Sequence, residues 1–379
     1  MSVYLDYNAS TPVDKRVLDK MIDVYRNHFG NADSRTHKHG IATRNIVETA
    51  RGQMASMLGV EKHEIIFTSG ATESNNIALL GLVEYGDRQK KKHIISTAIE
   101  HKSVLEPLYQ LQNLGFEVEF VSPDEDGMVS SEAILSLVRK DTLLVSVMHV
   151  NNETGIIQPV KKIGETLYGT DVLFHVDAAQ SCGKLIDEVR SLKYDLLSIS
   201  GHKMYAPQGI GAFVMRSKSF NKPPITPIIF GGGHEGGIRA GTLPVALIAG
   251  LGEACVIAEK EHKGNWLKYI DNKNRIIEIL QKSEINYTIN GNKALCMANT
   301  LNVSSIGVDS EALLLSIKQY CSLSNGSACT SRDYSHSHVL SAMGLLLERT
   351  ESAIRMSWGI DEISTESVED ILNCIRKLA

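Results

Sequence analysis

The stretch Tyr194-Asp-Leu-Leu-Ser-Ile-Ser-Gly-His-Lys203 carries an apolar run that breaks at Gly201 and leaves a lysine at its carboxyl end. A short apolar run bounded by glycine reads as a buried strand. Similar runs at 93–97, 117–121, 143–149 and 172–176 come before it, separated by helical patterns at 103–114, 130–138 and 160–168. Apolar strands alternating with helices need crossover connections, which build a mainly parallel sheet covered by helices on both faces, an α/β fold. A further run at 209–215 returns after the lysine, in an orientation that periodicity leaves open. The lysine has two readings: a solvated loop residue, or a strand-end amine that sheds its proton and condenses with an aldehyde.

Towards the N-terminus, Ser10-Thr11-Pro12 offers a capping hydroxyl and then proline at the first helical position, with Val17, Leu18, Met21, Ile22 and Tyr25 following at helical spacing. A second helix at 40–58 closes on Gly59, and a strand at 64–68 leads into one long helix from Ser69 to Gly86. Towards the C-terminus, the glycine-dense run from Phe230 to Ile238 marks a turn or a domain seam, and a helix at 243–262 opens a region of different texture. Segments at 286–289, 298–303, 310–318, 339–343, 353–357 and 368–378 indicate a smaller α+β domain there. The expected division is a large domain at 15–258 and a small one made of 1–14 with 259–379.

With 379 residues, a formal charge of −5 and 43 % hydrophobic residues, the composition is that of an ordinary globular protein without a broad basic footprint for nucleic acid. Cys182, Cys255, Cys296, Cys321, Cys329 and Cys374 form no CxxC pair, so free thiols in a reducing compartment are expected and no metal site. Neither a targeting leader nor a membrane-spanning run is visible, which makes the cytoplasm the expected location.

Thr68-Ser-Gly-Ala-Thr-Glu-Ser74 lies at a strand-to-helix junction, where small residues and unpaired helix N–H groups suit a phosphate, unless Ser69 or Thr72 simply caps the helix. Ser200 and His202, beside the lysine, offer the same anion two more donors. His175-Val-Asp-Ala-Ala-Gln180 puts Asp177 and Gln180 at the same sheet edge as Thr72 and Lys203. A carboxylate there stabilises the protonated ring nitrogen of a group such as pyridoxal phosphate while Gln180 holds the phenolic oxygen; the other reading is an aspartate that caps a helix. His101, after the run at 93–97, either stacks on a planar group and shuttles protons or is structural. Asn152, in Val150-Asn-Asn-Glu-Thr-Gly155, binds the phenolic oxygen or a substrate carboxylate, or belongs to an Asx turn. Arg355 is a charge inside the apolar run Ala353-Ile-Arg-Met-Ser357, where it grips a substrate carboxylate or makes a structural salt bridge. In Ser324-Asn-Gly-Ser-Ala-Cys-Thr-Ser331, Cys329 sits among small polar residues, the setting of an accessible thiol, whereas Cys182 and Cys255 lie in apolar segments and read as core.

Together, and in this order, these motifs resemble the cysteine desulfurases, pyridoxal-phosphate enzymes of the aspartate-aminotransferase-like fold type I. The resemblance runs from Tyr4-Leu-Asp-Tyr-Asn8 to the last helix. The Cys329 segment, about 322–336, is similar to that of the class with a long flexible catalytic loop; the Arg-x-Gly-His-His-Cys motif of the other class is absent. The resemblance implies that Lys203 holds the cofactor and takes the substrate Cα proton, that Asp177 pairs with the pyridine nitrogen and that Gln180 binds the phenolic oxygen. Ala71, Thr72, Ser200 and His202 would hold the phosphate, joined by Thr242 of Arg239-Ala-Gly-Thr242 from the second subunit of a homodimer. His101 would stack on the ring and assist proton transfer, while Asn152 and Arg355 orient the carboxylate of L-cysteine. Cys329 would receive the sulfur as a persulfide, leaving alanine, and pass it to a protein acceptor.

Ala32 stands where the family often has proline, and the chain stops at Ala379 without the longer tail that docks the iron–sulfur scaffold in housekeeping relatives. Iron–sulfur assembly, tRNA thiolation and DNA phosphorothioation all remain as destinations of the sulfur, with a partner doing any binding of nucleic acid. The competing expectations are another pyridoxal enzyme of the same fold, such as a selenocysteine lyase or an aminotransferase, and a sulfur-relay scaffold without turnover. Retention of the lysine, the aspartate and the thiol argues against the scaffold.

Overall fold

The computed structural model describes residues 2–217, 221–325 and 336–378. Its centre is a seven-stranded sheet of β1 (Ile65–Thr68), β2 (His93–Thr97), β3 (Glu117–Val121), β4 (Thr142–Met148), β5 (Leu173–Asp177), β6 (Leu196–Ser200) and β7 (Gly211–Met215), in the order β1-β7-β6-β5-β4-β2-β3. Every pairing is parallel except those of β7, which runs antiparallel between β1 and β6 and so settles the orientation that the sequence left open. Alternate residues of one strand enter different cores: Leu197 and Ile199 of β6 pack on one face and Leu196 on the other, as Ala212 and Val214 of β7 oppose Phe213. Both faces are therefore dry, which is why these runs are apolar throughout rather than alternating.

The helices cover the faces, with three departures from the sequence reading. The first helix, Lys15–Asn27, is capped by Asp14, whose side chain accepts from the Arg16 N–H. Thr11 is drawn away instead to the lysine turn, its hydroxyl donating to the carbonyl of His202 and accepting from the N–H of Tyr205. The single helix expected after Ser69 is two, Ala71–Leu80 and Val83–Gln89. The break falls at Gly81, where a Cβ would stand 2.8 Å from Ile225 and 2.9 Å from the carbonyl of Thr226, so a crossing segment occupies the space a side chain needs. The helix expected to end near His262 continues as Val245–Lys282. Its charged middle makes surface ion pairs, Glu259 with Arg190 and Glu261 with Arg16, and does not interrupt it. By contrast, the second helix, Lys38–Leu58, ends where expected, with Gly59 in the left-handed region at φ 66°.

That long helix joins two cores. Ile248, Leu251 and Cys255 pack against the large sheet, while Tyr269, Ile276 and Leu280 pack with Leu301, Val303, Leu313, Met356, Trp358 and Leu372. The second core lies on a three-stranded antiparallel sheet of Thr288–Ile289, Thr300–Ser304 and Ala353–Ser357, with helices Ser310–Ile317 and Thr365–Leu378. Leu5 belongs to it, because Val3–Tyr4 pairs with Cys321–Ser322 and Asp6 bridges to Ser357. Val339, Leu340 and Met343 pack in the large core instead. The glycine-dense run is an ordered turn held by Glu235, whose buried carboxylate takes both Arg51 (2.7 and 2.9 Å) and the N–H of Phe67 (2.7 Å). Cys182 and Cys255 are buried, and the described cysteines are free thiols. Among the described residues no helix is long and apolar enough to cross a membrane.

Candidate active site

Parallel strands end their carboxyl tips along one edge, and the loops that leave those tips surround a cavity of about 570 Å³. Ala71 and Thr72 come from the turn after β1, His101 from that after β2, Asn152 from that after β4, Asp177 and Gln180 from the end of β5, and Ser200, His202 and Lys203 from the end of β6. Arg355 enters from the smaller sheet. Thr242 is exposed and is not among the lining residues. Cys329 lies outside the described residues; Ser324, at the start of its motif, lines the cavity.

Lys203 ends a single 3-10 turn, Gly201–Lys203. Its Nζ donates to the carbonyls of Asn8 (2.5 Å) and Ala9 (2.6 Å), and Gln180 Nε2 donates to the same Asn8 carbonyl at 2.9 Å. Asn8 is in turn tied to Asn152, Thr300 and Ser357, so the first residues of the chain form a strap between the lysine and the smaller sheet. The sequence pattern gave no role to that strap. A second amine, Lys184, is buried nearby and donates to the Gln180 carbonyl at 3.1 Å. Burial, reinforced by the charge of Lys203, pushes its pKa down to about 7.

Asp177 Oδ2 accepts from Asn75 Nδ2 at 2.8 Å and its Oδ1 from the Ala179 N–H at 2.9 Å. His101 caps the helix Lys102–Asn113: its Nδ1 accepts the Ser103 N–H at 3.1 Å and meets the Ser103 hydroxyl at 2.8 Å. The ring proton therefore sits on Nε2. Burial pushes the His101 pKa down and the Asp177 charge opposes it, while Lys203, His338 and Lys102 push it further down. The preceding residue, Glu100, is wholly buried, and burial raises its pKa to about 8 although Thr97 and the Met148 N–H both donate to it.

At the opposite end, the helix Ala71–Leu80 begins at Gly70 with no side-chain cap, which leaves first-turn N–H groups for an anion. Gly211 makes room for this turn, since a Cβ there would lie 2.6 Å from Gly70 Cα. Ser200 Oγ and His202 Nδ1 lie 3.0 Å apart beside it. Burial and the two lysines, Lys203 and Lys184, push the His202 pKa down to about 4. Glu73 accepts from the Ser69 N–H at 2.7 Å and pairs with Arg239 at 2.7 Å, which fixes the segment leading to Thr242.

Arg355 realises the salt bridge that its sequence allowed, with Nη2 on Asp6 at 2.6 Å, while Nη1 donates to the Asn152 carbonyl at 2.9 Å. Among the described residues its Nε is buried and finds no partner, as is the case for Gln180 Oε1. The arrangement is polar at its two ends: uncapped helix N–H groups with a hydroxyl and an imidazole at one, a carboxylate fixed by two donors at the other, an amine between them. This donor set fits pyridoxal phosphate, whose phosphate, pyridinium and aldehyde ask for those three partners.

Comparison with known proteins gives the same result. Residues 3–369 match the aminotransferase class-V family. The chain is 42 % identical over 383 residues to cysteine desulfurase IscS of Vibrio vulnificus (strain CMCP6), covering 100 % of this chain and 94 % of that protein. It is 42 % identical over 370 residues to the probable mitochondrial cysteine desulfurase of Dictyostelium discoideum, covering 97 % and 80 %. Among solved structures, a NifS-like protein superposes with a TM-score of 0.90 at 36 % identity over 100 % of this chain and 99 % of that one. DndA from Streptomyces lividans does so at 0.82 and 45 %, over 93 % and 98 %. The chain belongs to the aminotransferase class-V family and, within it, to the pyridoxal-phosphate-dependent cysteine desulfurases.

Proposed function

We propose that the chain removes the sulfur of L-cysteine onto Cys329, releases L-alanine and passes the persulfide sulfur to a protein acceptor in the cytoplasm. One observation carries the reading: Lys203, Asp177 and Arg355 meet in one cavity, and Ser324, which opens the Cys329 motif, is backbone-bonded to Arg355. When bound, pyridoxal phosphate takes up the electron pair released at the substrate Cα and returns it once the sulfur has gone. Ala71 and Thr72 N–H groups, Ser200 and His202 would hold its phosphate, Asp177 its ring nitrogen and Gln180 its phenolic oxygen. Thr242 would complete the phosphate site of a second copy in a homodimer.

Arg355 and Asn152 would orient the substrate carboxylate, and Lys203 Nζ would take the Cα proton. His101 Nε2, kept neutral or nearly so by burial, would move a proton at the substrate. The Cys329 thiolate attacks the substrate sulfur: an S–S bond forms, the carbon–sulfur bond breaks, and its electron pair stays on carbon, which is then protonated to alanine. We further assign the cofactor to 15–258 and the mobile-sulfur chemistry to 1–14 with 259–379, supported by the two cores that the long helix joins.

The test is mass analysis of the cysteine-treated protein together with alanine release. Wild type is expected to carry one extra sulfur on Cys329, and Cys329→Ala to bind cofactor but neither carry nor transfer sulfur. Full persulfide transfer by that variant would refute the assignment; alanine from selenocysteine alone would make the chain a selenocysteine lyase.

A further inference from the structure

Glu153 follows Asn152 in the loop after β4 and is 2 % exposed. Its Oε2 accepts from the Ser337 hydroxyl at 2.5 Å. Ser337 in turn caps the helix His338–Ala342, accepting the Leu340 N–H at 3.1 Å, and His338 Nε2 donates to the Glu100 carbonyl at 3.0 Å. The other side of the same stretch is fixed in the same place: Ser324 and Arg355 exchange backbone hydrogen bonds of 3.3 and 2.5 Å, and Arg355 reaches the Asn152 carbonyl. Residues 324 and 337 are therefore both moored to the pair Asn152–Glu153.

A buried carboxylate is a poor choice for packing alone. Burial raises its pKa, against the opposing pull of Ser337, His338 and Arg355, and an apolar residue of similar size would avoid that desolvation. Its hydrogen bond spans 184 positions of sequence and joins the loop that carries Asn152 to Ser337, on the C-terminal side of the Cys329 motif.

We infer that Glu153 is a positioning residue for sulfur transfer, holding Ser337 so that the chain on the C-terminal side of Cys329 is fixed beside the residues that orient the substrate carboxylate. The inference rests on the reading of Cys329 as the sulfur acceptor.

The test uses the full-length holoenzyme and the variants Glu153→Ala, Glu153→Gln and Ser337→Ala, with Cys329→Ala run alongside. Cofactor absorbance, KM for L-cysteine, kcat for alanine and the single-turnover rate of persulfide formation are measured. Glu153→Ala and Ser337→Ala are each expected to keep cofactor and KM while kcat and the persulfide rate fall about 5- to 150-fold, from loss of the buried Ser337–Glu153 hydrogen bond, to which Ser337→Ala adds loss of the cap on the Leu340 N–H. Glu153→Gln keeps an acceptor oxygen for Ser337 and restores most of the rate, and the double alanine variant is no slower than the worse single one. Equal losses in cofactor content or KM, a Ser337→Ala enzyme of normal rate, or additive effects would overturn the inference. Because Ser337→Ala removes only a hydroxyl, it decides the matter if Glu153→Ala does not fold. Unimpaired persulfide transfer by Cys329→Ala would instead sink the parent reading.

Discussion

Gly211→Ala tests whether the phosphate turn is held by close backbone contact. Gly211 opens β7 and pairs with Thr68 at the end of β1 and Ser200 at the end of β6, the two strands that supply the proposed phosphate donors. A Cβ at 211 would meet Gly70 Cα at 2.6 Å, and ordinary contact begins at 3.4 Å, so the turn must retreat by about 0.8 Å. The carbonyl of Ile199 blocks escape on the other side. Overpacking of this kind costs about 1–3 kcal/mol of folding stability. Moving the turn also loosens one or two charge-assisted hydrogen bonds to the phosphate, together about 1.5–3 kcal/mol, or roughly 10- to 150-fold in affinity. The assay is absorbance titration of apo protein with pyridoxal phosphate, with urea denaturation to measure the folding term separately. Gly264→Ala is the control, since its Cβ would meet nothing within 4 Å at an exposed position of the long helix, and it should leave cofactor affinity untouched. A Gly211→Ala protein that binds the cofactor as tightly as wild type would refute the argument.

Glu100 makes stability pH-dependent. Its folded pKa, about 8, lies above the ordinary 4.5, so the folded protein keeps a proton that the unfolded chain releases. Its contribution is complete below about pH 4.5 and declines as pH rises towards 8. Urea midpoints should show wild type losing roughly 2 kcal/mol between about pH 6 and 8 that Glu100→Gln does not lose. Glu235→Ala should destabilise by about 3 kcal/mol in the same assay, because it removes the buried partner of Arg51, whose side chain is only 11 % exposed and keeps the exposed Glu48 and the Ile65 carbonyl, and frees the N–H of Phe67. A loss below about 1 kcal/mol would mean that water reaches the pair.

The strand ends were legible because a parallel sheet sends every loop that follows a strand to one edge. Lys203, Asp177, Gln180 and His101 could be gathered from the sequence without knowing the strand order. What escaped is contact between backbone and distant side chain. The carbonyls of Asn8 and Ala9 carry no side-chain signature, yet they receive the lysine. Glu100 and Glu153 were hidden differently: each lies in the loop after a strand, where no feature of the pattern marks a carboxylate for burial, yet both are buried. The expected helix at 243–262 is shorter than the observed Val245–Lys282 because its charged middle resembles an ending; that middle makes ion pairs to Arg190 and Arg16. Asp14 displaced Ser10 and Thr11 as the first cap for a related reason, since Thr11 had a stronger tertiary use at the lysine turn.

The strap at the start of the chain has a consequence for manufacture. Asn8 is synthesised before every one of its partners Asn152, Gln180, Lys203, Thr300 and Ser357. Synthesis and assembly therefore run in opposite senses here: Asn8 must wait, unpaired, until the chain has been extended by 349 residues to Ser357. A chain made only as far as Lys203 holds the lysine and the two carbonyls that receive it, but not Thr300 and Ser357, which steady Asn8.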